Sequence, residues 1–385
     1  MLEQAKQRTR DLQARMKDAA IQKAVFTDES SIAYLAGFWG YLGIEFGRPT
    51  MLVIDADDAP IVITPLMESE MVAEMTWVED VRVWEDMGQR TWGRALAGAL
   101  GDKPSEIWVE KTTIPAIVRN HLDDTYPGVA LKDIAPVLGE MRVIKSPFEI
   151  EVMKEAGQIA GAMMGAAHDS LRAGAREYES ALAVIDAGSR RAADFLTDKG
   201  WDRFVSPMIH NLQILQSGKD SSMVHRRASI KQFEKFDPVY FCFCNMAQFK
   251  QYKLGFDRMF HIGDVRDTDR RCQEAAIAAQ QAAIAAIRPG VLAEDVAAAA
   301  NEVYQERGYE TGYRTGRSIG VAYLEAPELK AGDKTVLQPG MTFAVDGGIS
   351  VDGVTAGRIG DSVVVTETGI DYITQYPREI LLSKD

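Results

Sequence analysis

The chain has few cysteines, no long apolar run and no excess of positive charge. Three cysteines among 385 residues, at positions 242, 244 and 272, exclude a secreted disulfide framework and favour a reducing cytoplasm. No apolar run approaches the roughly 20 residues that span a bilayer. The first 20 residues are charged throughout and lack the apolar core of a signal peptide. These absences predict a cytoplasmic protein that does not enter a membrane.

The charge balance excludes a further class of partner. The chain carries 43 Lys and Arg against 56 Asp and Glu, a formal net charge of -13. Nucleic acids and anionic membrane surfaces select for basic proteins, so we expect neither as a partner. Hydrophobic residues make up 46% and charged residues 26%, which is typical of a globular protein. A chain of this length usually forms two domains.

The sequence pattern changes near residue 142. Before this point, short apolar runs such as TMLVIDA and APIVITP alternate with helical segments. The acidic turn between these two runs predicts a β-hairpin, and the alternation predicts a small α/β domain over residues 1–141. We place the second domain at residues 142–385.

The second domain begins with a clear helix start. Ser146 is a favourable N-cap, Pro147 suits the first helical position, and Glu149 completes a capping box. Further helices are predicted over about 267–287 and 292–307, with strands over 237–246, 256–262, 341–346 and 361–366. Helices grouped against a largely antiparallel sheet indicate an α+β fold.

Five segments of the second domain occur in a familiar order: MRVIKSPFEIEVMKEAGQIA, IRPGVLAEDV, TGRSIGVAYLEAPEL, VLQPGMTFAVDGG and AGRIGDSVVVTETG. Together they resemble the pita-bread family of methionine and Xaa-Pro aminopeptidases, prolidases, creatinases and ectoine hydrolases. The resemblance covers about residues 140–377 and, more loosely, the first domain. It implies a C-terminal pita-bread domain preceded by a smaller creatinase-type α/β domain.

The peptidases of this family bind two metal ions through two Asp, one His and two Glu side chains. The resemblance places these five positions on Cys244, Gly255, Arg317, Asp346 and Gly360. Hard divalent ions need several oxygen or imidazole ligands, and this set does not supply them. We therefore expect no catalytic metal and no other cofactor.

The metal-free creatinase branch is the closer resemblance. It implies that His225, seven residues after QSG, acts as general base and acid. It also implies that Asp257 and Asp346 take the places of two glutamates that hold a guanidino group. A neutral His suits proton transfer near pH 7, and two carboxylates suit a cationic amidine or guanidine.

The same resemblance implies further substrate contacts and a subunit arrangement. Phe46 and Arg48, in EFGRPT, correspond to residues at the carboxylate end of the substrate, and Tyr252 is the nearest candidate for a tyrosine in the turn. Arg317 and Cys244 are additional pocket candidates. The N-terminal domain of one subunit covers the pocket of the other in creatinase-like enzymes, so we expect a homodimer that binds a small molecule.

Three functions are compatible with these residues. The leading prediction is a metal-independent, creatinase-like hydrolase of a C–N bond in a small carboxylate-bearing amidine, guanidine or cyclic amide. One alternative is a cysteine-dependent hydrolase or lyase, because a thiol beside a His is a nucleophile when its pKa is lowered. Cys244 is the residue concerned. The other alternative is a non-catalytic pita-bread protein that binds a ligand.

Overall fold

The computed structural model describes residues 2–40, 42–85, 91–200, 202–210, 214–310 and 314–383. These residues divide into a first unit, Met1–Met141, and a second unit, Arg142–Asp385. None of the described helices is long and apolar enough to cross a membrane.

The first unit contains a mixed sheet with helices around it. Its described strands are β1 (Lys23–Phe26), β2 (Met51–Asp55), β3 (Ile61–Pro65), β4 (Asp80–Trp84), β5 (Glu106–Val109) and β6 (Ala130–Asp133). Its described helices are α1 (Leu2–Asp18), α2 (Glu29–Ala36), α3 (Leu42–Phe46), α4 (Ser69–Met75), α5 (Thr91–Leu100), α6 (Ala116–Thr125) and α7 (Ala135–Arg142). The strand order is β4-β3-β2-β1-β5-β6, and the antiparallel pairing of β2 with β3 confirms the predicted hairpin.

The helices of the second unit begin and end close to the predicted positions. They are α8 (Pro147–Ser170), α9 (Glu177–Asp198), α10 (Asp267–Ala286) and α11 (Ala293–Glu306). At the start of α8, the side chain of Ser146 accepts from the N–H of Glu149, whose carboxylate accepts from the N–H of Ser146. The predicted capping box is therefore confirmed.

A sheet of nine strands among the described residues organises the second unit. The strands of this unit are β7 (Ile214–Ser217), β8 (Pro238–Cys242), β9 (Gln248–Phe249), β10 (Tyr252–Lys253), β11 (Asp257–His261), β12 (Gly316–Ser318), β13 (Glu325–Leu329), β14 (Thr342–Val351), β15 (Thr355–Val365), β16 (Ile370–Tyr372) and β17 (Leu381–Leu382). The main order is β13-β12-β14-β15-β11-β8-β7, while β16 pairs with β15 and β17 with β11. Strands β9 and β10 form a separate short hairpin.

Small residues allow helix α10 to lie directly on the sheet. Ala275, Ala279 and Ala283 of this helix are buried in a cluster with apolar side chains of β14 and β15. A Cβ at Gly347 or Gly357 would overlap backbone atoms of the helix. This packing covers one face of the sheet and completes the predicted α+β architecture, which is confirmed.

Candidate active site

Three adjacent strands bring two carboxyl groups to one point. Antiparallel pairing places Asp257 of β11 opposite Gly360 of β15, and Asp346 of β14 opposite the same glycine from the other side. Residues in register across neighbouring strands share a face of the sheet. A Cβ at Gly360 would overlap Oδ2 of Asp257 and would lie 2.9 Å from Oδ1 of Asp346. The two carboxyl groups therefore converge over the space that Gly360 leaves open.

Arg317 of β12 adds a fixed positive charge to this cluster. Its Nη1 donates to Oδ2 of Asp346 at 2.6 Å, its Nη2 donates to the hydroxyl of Tyr323, and its Cζ lies 4.4 Å from the centre of the tyrosine ring. A Cβ at Gly255 would lie only 3.0 Å from Nη2 of Arg317. Gly255 thus provides the space that the guanidinium group needs.

Burial and neighbouring charges shift the pKa values of Asp257 and Arg317. Asp257 is buried, and burial raises its pKa well above the ordinary value, with the negative charge of Asp346 acting in the same direction. For Arg317, burial alone lowers the pKa, but the charges of Asp346 and Cys244 outweigh this effect and raise it overall. The cluster therefore favours a carboxylic acid at Asp257 beside the ion pair of Arg317 and Asp346.

Two free thiols lie on the other side of Asp257. Strand β8 ends at Cys242, which pairs with Asp257, and Cys244 follows two residues later. Their Sγ atoms lie 2.7 Å apart. The hydrogen bond with Cys242 lowers the pKa of Cys244, and the charge of Arg317 lowers it further, although burial opposes both effects. The same contact with Cys244 raises the pKa of Cys242, so thiolate character is concentrated on Cys244.

Two further predicted site residues, His225 and Tyr252, differ in their burial. His225 is exposed and has no hydrogen bond or ion pair with any residue that the structure describes. The structure does not bring it into contact with Asp257 or Asp346. Tyr252 is buried and donates its hydroxyl to Oε1 of Glu149 at 3.0 Å, which joins it to the start of α8.

Phe46 and Arg48 belong to the first unit and are described within it. Phe46 is 62% exposed at the end of α3. Cζ of Arg48 lies 6.0 Å from the centre of the Phe46 ring. Nη1 of the same arginine lies 3.2 Å from Sδ of Met67. Their assignment to carboxylate binding stays a prediction.

Sequence reasoning missed Tyr323 as the partner of Arg317. The available signal was its place six residues later in TGRSIGVAYLEAP, beside Leu324. The chain returns to Arg317 after a turn, because β13 begins at Glu325 and pairs with β12.

Comparison with known families agrees with this architecture. The profile of metallopeptidase family M24 matches residues 151–367, and that of the creatinase/prolidase N-terminal domain matches residues 8–144. The chain belongs to metallopeptidase family M24. The predicted pita-bread domain and the creatinase-type domain before it are confirmed. Membership of the creatinase and ectoine hydrolase branch is not specifically shown.

Similar M24 proteins cover nearly the whole chain. An agropine synthesis cyclase of Rhizobium rhizogenes is 28% identical over 96% of this chain and 95% of its own length. An Xaa-Pro dipeptidase of Pyrococcus furiosus is 26% identical over 95% of this chain and 100% of its own length. The structure of dipeptidase PepE from Mycobacterium ulcerans has a TM-score of 0.82 at 26% identity, covering 99% of this chain and 98% of that protein.

These M24 relatives correct the predicted chemistry. The family is one of hydrolases, so the prediction of a hydrolase is confirmed. The prediction of creatinase-like, metal-independent cleavage of an amidine, guanidine or cyclic amide is wrong, because the relatives include Xaa-Pro dipeptidases and dipeptidases. The role in proton transfer that this branch implies for His225 stays a prediction.

The M24 family implies a metal site, and the residues at this place do not fit one. Among the described residues, no group of three or more His, Cys, Asp or Glu side chains is placed to hold a metal ion. Gly255 and Gly360 offer no side-chain ligand, and Asp346 is paired with Arg317. A cation beside the buried guanidinium group would be repelled. We therefore derive no chemical step through a metal ion.

Proposed function

We propose that this chain hydrolyses an amide bond of a small, peptide-like substrate with Asp257 and Asp346 as the proton-transferring pair. The observation that carries this proposal is the convergence of the two carboxyl groups over Gly360. A buried carboxyl group with a raised pKa suits the role of acid, and a neighbouring carboxylate held in an ion pair suits the role of base. Asp257 is favoured as the acid, and Asp346, held by Arg317, as the charged carboxylate.

The reaction follows from these two states. The carboxylate of Asp346 accepts a proton from water as the water oxygen bonds to the carbonyl carbon of the substrate. Asp257 donates its proton to the leaving nitrogen as the C–N bond breaks. A carboxylic acid and an amine are released, and transfer of the first proton from Asp346 to Asp257 restores the starting state.

The class of substrate is supported by the M24 relatives. Two of those described above are named dipeptidases, one of them specific in name for Xaa-Pro. Their likeness extends over at least 95% of this chain, so it includes both the strands that carry Asp257 and Asp346 and the first unit. Dipeptides with proline in the second position are accordingly the first substrates to test.

The test is hydrolysis of Xaa-Pro and other dipeptides by the full chain, followed by chromatography of the free amino acids. We expect Asp257→Asn to lower turnover roughly 10²–10⁴-fold, because it removes a proton donor while keeping the side-chain size. His225→Ala is the matched control, and we expect it to stay within about twofold of the unaltered chain because His225 takes no step in this scheme. Turnover that needs added Mn²⁺ and survives Asp257→Asn would overturn the proposal.

A second candidate is ring closure, which the likeness to a protein named as a cyclase favours. The same acid and base can activate a hydroxyl group of the substrate in place of water. Its attack on a carboxyl group of the same molecule forms an internal ester and releases water. Mass spectrometry separates the two reactions, because hydrolysis adds one water to the substrate and ring closure removes one.

A further inference from the structure

The Cys242–Cys244 dithiol has a geometry that the proposed hydrolysis does not use. Residues two apart on an extended chain point to the same side. The chain stays extended through Phe243, whose N–H donates to the carbonyl of Phe256 at 2.9 Å, and it turns at Asn245, where φ is 60°. This conformation holds the two Sγ atoms 2.7 Å apart as free thiols.

The two thiols differ in their surroundings. Cys242 is 2% exposed and packs among Ile214, Tyr240 and Met259 in an apolar cluster. Cys244 lies at the edge of this cluster and is only partly buried. A partly accessible thiol that has thiolate character, with a second thiol beside it, is the arrangement found at redox-sensitive cysteine pairs.

We propose that Cys242 and Cys244 form a peroxide-sensitive modification site, in which Cys244 is oxidised first and Cys242 closes a disulfide. In the first step, the Cys244 thiolate attacks one oxygen of the peroxide. An S–O bond forms, the O–O bond breaks, and the leaving hydroxide takes a proton to become water. Cys244 is oxidised by two electrons to a sulfenic acid, and the peroxide is reduced.

In the second step, the Cys242 sulfur attacks the sulfur of Cys244. The S–S bond forms, the S–O bond breaks, and the oxygen leaves as water with the thiol proton of Cys242. A dithiol reductant reverses the reaction. The modification also removes the thiolate of Cys244, whose charge acts on both Asp257 and Arg317, so the electrostatics of the carboxyl cluster change with the redox state.

The site is tested by treating the purified full chain with hydrogen peroxide and measuring tryptic peptides by mass spectrometry. Residues 236–250 form one tryptic peptide that contains both Cys242 and Cys244 and no other cysteine. We expect this peptide to lose two hydrogens and to regain them with dithiothreitol. Cys272, buried at 3% exposure on α10, is the internal control, and we expect it to react at least about tenfold more slowly.

Two single variants establish the order of events. In Cys242→Ser, the sulfenic acid at Cys244 has no neighbouring thiol, so dimedone should trap it. In Cys244→Ser, Cys242 should stay unlabelled because it is buried in the apolar cluster. The proposal is overturned if peptide 236–250 in the unaltered chain keeps both hydrogens at a peroxide dose that oxidises Cys272, a result that does not depend on any variant.

Discussion

Asp257 and Asp346 occupy positions in register on either side of Gly360, and their carboxyl groups meet over that residue. The glycine is therefore as important to the pair as the two acids are. Each carboxyl group comes from a different strand, β11 or β14, while β15 between them contributes only open space. Burial raises the pKa of Asp257, and strand pairing brings the charge of Asp346 close enough to raise it further.

The first prediction concerns the space at Gly360. Gly360→Ala places a methyl group where Oδ2 of Asp257 lies, so the carboxyl groups must move apart while the backbone keeps its conformation. We expect turnover to fall about 100-fold, the usual effect of displacing a reacting group by about 1 Å. Gly348→Ala is the matched control on a neighbouring strand, because its nearest non-local atom, Nη1 of Arg358, would lie at an ordinary 3.5 Å.

Steady-state kinetics and thermal denaturation of both variants check this prediction. The Gly360 variant should keep a cooperative unfolding transition, because the atoms nearest to the added methyl group are the ends of the Asp257 and Asp346 side chains and not backbone. Equal turnover in the two variants would show that the position of the carboxyl groups is unimportant.

The second prediction concerns the effect of Asp257 on stability as pH changes. The ordinary Asp pKa is 3.8, and burial followed by the charge of Asp346 raises the folded-state pKa well above it. Below pH 3.8 both folded and unfolded states hold the proton. Above it the unfolded state releases the proton first, so stability is lost as pH rises towards the folded-state pKa. Asp257→Asn has no such proton to lose.

Melting temperatures of the unaltered chain and Asp257→Asn between about pH 4 and pH 8 test this linkage. We expect the difference, variant minus unaltered chain, to increase steadily with pH. The slope is the informative quantity, because any fixed effect of the amide group is the same at every pH. Parallel curves would mean that the pKa of Asp257 is not raised in the folded protein.

Local signals in the sequence were sufficient for some elements and insufficient for the site. The start of α8 was predictable because Ser146 and Glu149 bond to each other within one turn. The pairing of Arg317 with Tyr323 depends on how the chain turns between β12 and β13, which no local pattern determines. The contact of Asp257 with Asp346 depends on the register of three strands that are distant in sequence. Such contacts require long-range pairing to be known first.

The same distinction applies to His225, whose role in proton transfer stays a prediction. Its spacing from QSG is a local pattern, and it was given a role through a resemblance. In the fold, the neighbouring Arg226 is bound through Nη2 to Oε1 of Glu177 at 2.6 Å, whereas the imidazole of His225 is exposed. A spacing fixes where a residue lies along the chain but not which side chains surround it.

The third prediction concerns the pairing of Arg317 with Asp346. Nη1 and Oδ2 lie 2.6 Å apart, with the arginine side chain 5% and the aspartate side chain 34% exposed. Because solvent screens the aspartate in part, we expect Arg317→Met to cost about 1–3 kcal/mol of the free energy of unfolding, below the range for a fully buried pair. The doubly substituted chain, Arg317→Met with Asp346→Asn, should recover part of that loss.

Denaturant unfolding of the two single variants and the double variant forms a double-mutant cycle that isolates the pair. A favourable coupling energy of about 1 kcal/mol or more is the expected result. Strictly additive effects would indicate that Arg317 does not stabilise the charge of Asp346. The interpretation of Asp346 as the ionised partner of Asp257 would then lose its physical basis.

The last prediction concerns His261, a buried residue at the end of β11. It is 0% exposed, and neither ring nitrogen has a hydrogen-bond partner among the described residues. Burial lowers its pKa from 6.5 to about 4, with the charges of Arg270 and Arg266 acting in the same direction. The folded state therefore holds a neutral imidazole. The contribution of His261 to the free energy of unfolding is fully present above pH 6.5. Stability is lost as pH falls towards 4, because only the unfolded state takes up the proton.

From this shift we expect His261 to account for about 2 kcal/mol of the stability lost between pH 7 and pH 5. His261→Leu, which keeps a similar volume without a titrating group, should lose correspondingly less over the same interval. Urea unfolding at the two pH values measures the difference. His210→Gln is the control for removing an imidazole, because His210 is exposed. An equal loss in His261→Leu and the unaltered chain would show that the imidazole is protonated in the fold and that a counter-charge or water reaches it.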